Sequence, residues 1–237
     1  MSSKSLSVFL PVYNEEKTID SVISGMIDVI EPLAEDYEIL LINDGSTDRS
    51  KDAILRWMQK KDRIRLINHE TNLGYGAALK DGFTNANRDL IFYTDADMPV
   101  DLHDIKKILP LMEQYDLVIG YRINREDTPR RFIYSKIYNF LIRVLLGVKV
   151  RDANFSFKCV RKEVIKKCNL SAMSVFIDGE LLAEAVRNNF TIKEIPIVYK
   201  PRKHGISNFD NMKVAMATGK ELIYYWINKR LLKKKDR

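Results

Sequence analysis

A chain of 237 residues with 46% hydrophobic content, uninterrupted by any glycine- or proline-rich linker, is large enough to bury one substantial core. Its formal charge of +7 points to an anionic partner and leaves nucleic acid, a membrane surface and a phosphorylated substrate open. Two cysteines, Cys159 and Cys168, supply neither a disulfide framework nor a zinc ligand set, and no signal-peptide pattern opens the sequence, so the expectation is a cytoplasmic protein with reduced thiols.

The first apolar run, from Ser7 to Tyr13, is broken by Pro11 and followed by Asn14, Glu15 and Glu16, where a helix should start with Asn14 as its N-cap. A second predicted strand, Tyr37 to Ile42, runs into Asn43-Asp44-Gly45-Ser46-Thr47-Asp48 and then a helical pattern from Arg49 to Lys60. A third, Ile64 to Asn68, leads to Asn72-Leu73-Gly74-Tyr75-Gly76-Ala77-Ala78-Leu79. The run Leu90-Ile91-Phe92-Tyr93 ends in Asp95-Ala96-Asp97, and a fifth strand, Asp116 to Ile119, ends at Gly120-Tyr121-Arg122. Strands alternating with helices predict an α/β fold with a mostly parallel sheet covered on both faces. Such sheets bind ligands at the carboxyl ends of their strands, which is where all five polar clusters fall.

Asp95 and Asp97 follow a run that reads as a buried strand, so both carboxylates should enter a crevice. Hard cations such as Mg²⁺ or Mn²⁺ take oxygen ligands and commonly combine one or two carboxylates with substrate phosphates. A metal-bound diphosphate is the natural guest.

These motifs, in this order and spacing, resemble the family 2 glycosyltransferases of the GT-A fold, over roughly residues 5 to 210. Arg130-Arg131 with Ser135, the stretch from Arg151 to Lys158, and Arg202-Lys203-His204-Gly205-Ile206-Ser207 resemble more narrowly the dolichyl-phosphate mannose synthase and polyprenyl-phosphate glycosyltransferase branch. The resemblance implies a single Rossmann-like GT-A domain over residues 1–210, with residues 211–237 forming a C-terminal amphipathic basic helix or tail. It further implies inverting transfer of a hexose from GDP-mannose or a UDP-hexose to a polyprenyl or dolichyl phosphate. Pro11, Tyr13, Glu15, Asp44, Asp95 and Ala96 would line the nucleotide-sugar pocket, with Glu15 on the ribose and Asp44 on the base. Asp97, assisted by Asp95, would hold the metal. Arg122, Arg131 and Ser135 would contact the acceptor phosphate, Arg202 would close over the diphosphate, and Asp152 would sit near the reactive centre. Two positions depart from the pattern: Asn43 replaces a common aspartate, and Pro99 stands where relatives carry a glutamine, with Asp101 the nearest carboxylate or a helix N-cap.

A phosphate acceptor needs cations rather than a general base, because a phosphomonoester with second pKa of about 6 is already largely anionic near pH 7. Asp178-Gly179-Glu180 lies where hydroxyl-acceptor members place their base. It keeps a second reading open, transfer to a hydroxyl in polysaccharide or glycolipid synthesis, although an ordinary helix N-terminus explains it equally well. The segment from Pro129 to Leu146 mixes apolar residues with cations and has no acid, and its apolar stretches are too short to span a bilayer. It suits either an interfacial helix or a core helix with a basic edge. The lysine-rich C-terminus repeats the theme, so the expectation is a peripheral protein on the cytoplasmic face of a membrane, held directly or by an anchoring protein partner. Gly74-Tyr75-Gly76 fits a dinucleotide fingerprint poorly, since Leu79 takes the third glycine's place. No nucleic-acid recognition motif accompanies the charge, so no nucleic-acid partner is expected.

Overall fold

The computed structural model describes residues 5–96, 100–124, 129–199 and 212–235. Seven strands form one sheet: β1 (Leu6–Val12), β2 (Tyr37–Asp44), β3 (Ile64–His69), β4 (Leu90–Thr94), β5 (Leu117–Ile123), β6 (Phe157–Arg161) and β7 (Ile192–Val198), in the order β3-β2-β1-β4-β6-β5-β7. The β1, β2, β3 and β4 pairings are parallel, as is β5 with β7, while β6 runs antiparallel to both its neighbours. The sheet is therefore mostly parallel, as its near-continuous apolar strands require when both faces are covered.

Helices α1 (Ile19–Ile30) and α2 (Ser50–Lys60) join the first three strands, α3 (Tyr75–Asn85) leads into β4, and the short α4 (Ile105–Ile108) is flanked by 3₁₀ turns. The long α5 (Pro129–Leu146) precedes β6, followed by α6 (Lys162–Lys167), α7 (Phe176–Arg187) and the C-terminal α8 (Met212–Lys235). Val8, Leu10, Ile39 and Leu41 pack one sheet face against Ile19, Ile23 and Met26 of α1. Phe9, Leu40, Ile91 and Tyr93 pack the other against Leu79 and Phe83 of α3 and Phe176 of α7.

Strand β1 pairs with β2 on one side and β4 on the other, and the connections leave it in opposite directions. That reversal opens a crevice beyond the carboxyl ends of β1 and β4. Asn14 and Glu15, after β1, and Asp95, after β4, stand there. Two glycines let backbones meet at its rim. Gly45, at φ +68°, turns the chain after β2 where a Cβ would lie 2.3 Å from the Thr71 carbonyl carbon, and Gly76 donates its amide to the Met173 carbonyl at 3.1 Å.

Two boundaries differ from the sequence expectation. Asn14 does not cap α1; it adopts a left-handed φ of 57°, and Thr18 holds the N-cap position. Strand β5 continues through Gly120, Tyr121 and Arg122, so this cluster lies within the strand's last turns of pleat. Asp101 does act as a cap, accepting from the His103 amide at 3.0 Å.

Candidate active site

The loops after β1 and β2 are stitched together by side chains. The Asn14 amide donates to Ser46 Oγ (3.0 Å), the Thr47 amide to Asn14 Oδ1 (2.8 Å), the Glu15 amide to Ser50 Oγ (2.7 Å) and the Glu16 amide to Asp48 Oδ2 (3.0 Å). Glu15 carries its own carboxylate at the crevice, where Thr18 Oγ1 donates to it at 2.6 Å. Tyr13, 47% exposed, flanks it, and the partly buried Pro11 lies within β1.

Asp44 is buried and organises the neighbouring loop. Its carboxylate accepts the amides of Leu73 (2.8 Å) and Gly74 (2.9 Å) and contacts His69 Nδ1 at 2.7 Å. His69 Nε2 meets Asp81 at 2.7 Å, so the protonated ring donates to two carboxylates. Burial lowers the His69 pKa, but the hydrogen bonds to Asp44 and Asp81 outweigh it and the net shift is upward. A raised folded-state pKa contributes stability that is complete below the ordinary value of 6.5 and is lost as pH rises through the folded value. Melting temperatures followed from pH 6 to 9 should therefore decline less in His69→Asn than in the unmodified protein. Parallel declines would show that the ring does not titrate in this range. Asn43 points to the opposite sheet face from Asp44 and donates to Asn68 Oδ1 at 2.8 Å, across the β2–β3 pairing.

At the end of β4, Asp95 accepts from Ser156 Oγ at 2.5 Å on one oxygen and from Tyr75 Oη at 3.4 Å on the other. The adjoining Ala96 is buried. Hydroxyl donors thus hold both oxygens from the protein side, and this oxygen chemistry fits a hard divalent cation. Among the described residues no cluster of three or more His, Cys, Asp or Glu side chains forms a fuller ligand set. Asp97, Pro99 and Arg202 lie outside the described residues, as does the segment 203–207.

Opposite Asp95, Arg122 makes a bidentate ion pair with Asp152, Nε to Oδ2 at 2.7 Å and Nη2 to Oδ1 at 2.9 Å. Asp152 is 3% exposed, so it acts here as the carboxylate that fixes the guanidinium plane. The Arg122 guanidinium also lies 5.5 Å from the ring centroids of Phe155 and Tyr199, and that of Arg131 lies 5.8 Å from the same Tyr199 ring. One aromatic ring therefore gathers cations from β5 and α5. One turn along α5, Ser135 is bonded by Asn139, whose Nδ2 reaches the Ser135 carbonyl (2.8 Å) and hydroxyl (3.4 Å), while Asn139 Oδ1 accepts the Ala153 amide at 2.9 Å.

Asp178 and Glu180, on the first turns of α7, are committed elsewhere. Asp178 is buried, accepting from Lys158 Nζ at 2.6 Å and from the Tyr93 hydroxyl. Burial raises its pKa against the lowering effect of Lys158 and Tyr93. Glu180 accepts the amides of Ser171 and Ala172 and the Ser171 hydroxyl, each at 2.8 Å. Sequence reasoning gave no role to Tyr199 or Asn139, nor to Ser156 and Lys158 within the 151–158 stretch. Lys158 was the readable one, since a lone cation amid Phe157, Cys159 and Val160 demands a buried counter-charge.

The glycosyl transferase family 2 model matches residues 7–168, more than half of the chain. The chain belongs to glycosyl transferase family 2. It is 28% identical over 231 residues to glycosyltransferase AglD of Haloferax volcanii, covering 93% of this chain and 37% of that one. It is 32% identical over 216 residues to an undecaprenyl-phosphate 4-deoxy-4-formamido-L-arabinose transferase of Salmonella choleraesuis, covering 89% and 64%. The chain thus spans less than two thirds of these relatives' length. Among solved structures, the glucosyl-3-phosphoglycerate synthase of Mycobacterium tuberculosis, in complex with Mn²⁺, UDP and glucosyl-3-phosphoglycerate, superposes with a TM-score of 0.73 at 16% identity, over 94% of this chain and 78% of that one. The family 2 chain therefore has the GT-A fold.

Proposed function

We propose that this family 2 chain is a metal-dependent inverting hexosyltransferase that moves a sugar from a nucleoside-diphosphate donor, GDP-mannose or a UDP-hexose, to a polyprenyl or dolichyl phosphate. The observation that carries the reading is the convergence of Arg122 and Arg131 on Tyr199, with Arg122 fixed by the buried Asp152. Paired cations suit a phosphate, which is anionic without help, whereas a hydroxyl needs a base. Both carboxylates that could have served as that base are buried, Glu180 held on both oxygens by the 171–172 segment and Asp178 held on Oδ1 by Lys158, which favours the phosphate.

In this reading Pro11, Tyr13, Glu15 and Asp44 shape the nucleoside pocket, Asp44 by ordering the 73–74 amides. Asp95 and Asp97 hold Mg²⁺ or Mn²⁺, which when bound neutralises the charge developing on the leaving diphosphate. Arg122, Arg131 and Ser135 bind the acceptor phosphate, Arg202 covers the diphosphate, and a single displacement converts an α-linked donor into a β-linked product. Arg131→Ala should raise the KM for polyprenyl phosphate at least about tenfold while leaving donor KM nearly unchanged, because a charge-assisted bond to the acceptor alone is lost. An equal loss of donor affinity would move Arg131 to the donor site.

The lipid acceptor also accounts for two exposed apolar stripes. On α5, Ile133, Ile137, Phe140 and Val144 repeat at helical spacing and face outward, Phe140 at 63% exposure, beside the exposed cations Arg130, Lys136 and Arg143. Helix α8 packs on α5 and α7 through Thr218, Leu222 and Tyr225, and turns Met216, Ile223, Tyr224 and Ile227 outward, Tyr224 at 70%. Among the described residues no helix is long and apolar enough to cross a membrane. Such faces suit the boundary of an anionic bilayer, where each basic residue contributes on the order of 1 kcal/mol. The protein should sediment with anionic liposomes, less at high salt and poorly with neutral ones. Indifference to anionic liposomes at every salt concentration would point to a soluble acceptor or an anchoring protein.

A further inference from the structure

We infer that Ser156 is a positioning residue for the metal-binding carboxylate, and that the segment 152–156 is a rigid bridge setting that carboxylate against the acceptor cations. The inference rests on the metal-dependent transfer proposed above. Strands β4 and β6 pair Thr94 with Phe157, so the next step outward sets Asp95 opposite Ser156. There Ser156, only 3% exposed, donates its hydroxyl to Asp95 at 2.5 Å.

The rest of the segment is held at Asp152, Ala153 and Phe155. Asp152 clamps Arg122, Asn139 of α5 accepts the Ala153 amide, and the Phe155 ring lies under the Arg122 guanidinium. From below, the fully buried Lys158 donates to the Phe155 carbonyl at 2.5 Å and to Asp178 at 2.6 Å. Movement at Ser156 is therefore tied to Arg122 through a short segment anchored at Ala153 and Phe155. A hydrogen bond to a ligating carboxylate orients it toward the metal, and losing such a partner typically costs about 10–100-fold in metal affinity. Ser156 is the right size to separate this role from packing, because removing its oxygen changes the buried volume little.

The test measures Mn²⁺ uptake by the full chain in the presence of UDP or GDP, reading free Mn²⁺ by electron paramagnetic resonance. Ser156→Ala should weaken Mn²⁺ binding at least about tenfold with an unchanged melting temperature, and Ser156→Thr, which restores the hydroxyl, should recover it. Should the alanine variant melt early, Ser156→Cys keeps the volume while offering only a weak donor, and it should lose Mn²⁺ affinity in the same way. Wild-type Mn²⁺ affinity in the folded alanine or cysteine variant overturns this inference alone. Failure of the unsubstituted protein to take up Mn²⁺ with either nucleotide overturns the metal reading and this inference with it.

Discussion

Replacing Lys158 by methionine is expected to cost about 3–5 kcal/mol of stability, because it strands the buried Asp178 without its counter-charge. For a chain of this size that corresponds to a fall in melting temperature of roughly 6–20 °C. Lys158 is fully buried within the sheet, over the Tyr93 ring at 5.3 Å. The deficit should also depend on pH. Burial already raises the Asp178 pKa in the intact pair, and removing Lys158 raises it further. A carboxyl whose folded-state pKa lies above its unfolded value binds more protons folded than unfolded, so its stability contribution is lost as pH rises. Lys158→Met should consequently be less damaged at pH 5 than at pH 8. Pairing it with Asp178→Leu should recover most of the loss, since an apolar replacement of a whole buried pair is often neutral. Calorimetry on the single and double variants at both pH values checks this. A double variant as unstable as the single would mean that Lys158 acts through the Phe155 carbonyl alone.

Asp97→Asn is expected to lower turnover at least about a hundredfold, the scale of losing a principal electrostatic stabiliser of developing charge. The neutral amide keeps the side-chain volume but removes a hard anionic ligand, so Mn²⁺ would be held only by Asp95 and the substrate phosphates. Asp95→Asn should act in the same direction. Steady-state rates across a Mn²⁺ titration give the comparison, and excess chelator should reduce the unsubstituted protein to the same level. Full activity in Asp97→Asn, or with chelator present, would contradict metal-assisted departure of the diphosphate.

The parallel half of the sheet, β1 to β4, was legible because doubly covered parallel strands announce themselves. Leu90 to Tyr93 is an unbroken apolar run that leads to Asp95, and Ile39 to Ile42 is one that stops at Asn43 and Asp44. Beyond β4, only the strand from Asp116 and the basic apolar segment from Pro129 were read from the residues themselves, and the proposed acceptor contacts came from resemblance. Strand β6 carries the buried Lys158 as its second residue, which argues against a buried strand until Asp178 is brought from 20 residues away to neutralise it. Strand β7 alternates exposed and buried positions around Pro196, a pattern weaker than its parallel neighbours. Tyr199 could not be anticipated, because its significance lies in Arg122 and Arg131 meeting over one ring from different elements. For the segment from Pro129 to Leu146, interfacial and core readings were both open. The helix buries Ile142 fully and exposes Phe140 and Val144, so it has a core face and an outward apolar face. Composition alone does not apportion residues between two faces; the partners across each face do.

The most direct test supplies the purified protein with Mn²⁺, a panel of labelled nucleotide sugars, and polyprenyl phosphate in anionic vesicles, and asks where the label goes. The account predicts that at least one GDP- or UDP-hexose transfers its sugar to the lipid phosphate with inversion, that the product is absent without polyprenyl phosphate, and that chelation abolishes it. Transfer of the sugar to a hydroxyl acceptor with the lipid phosphate left unmodified would contradict it.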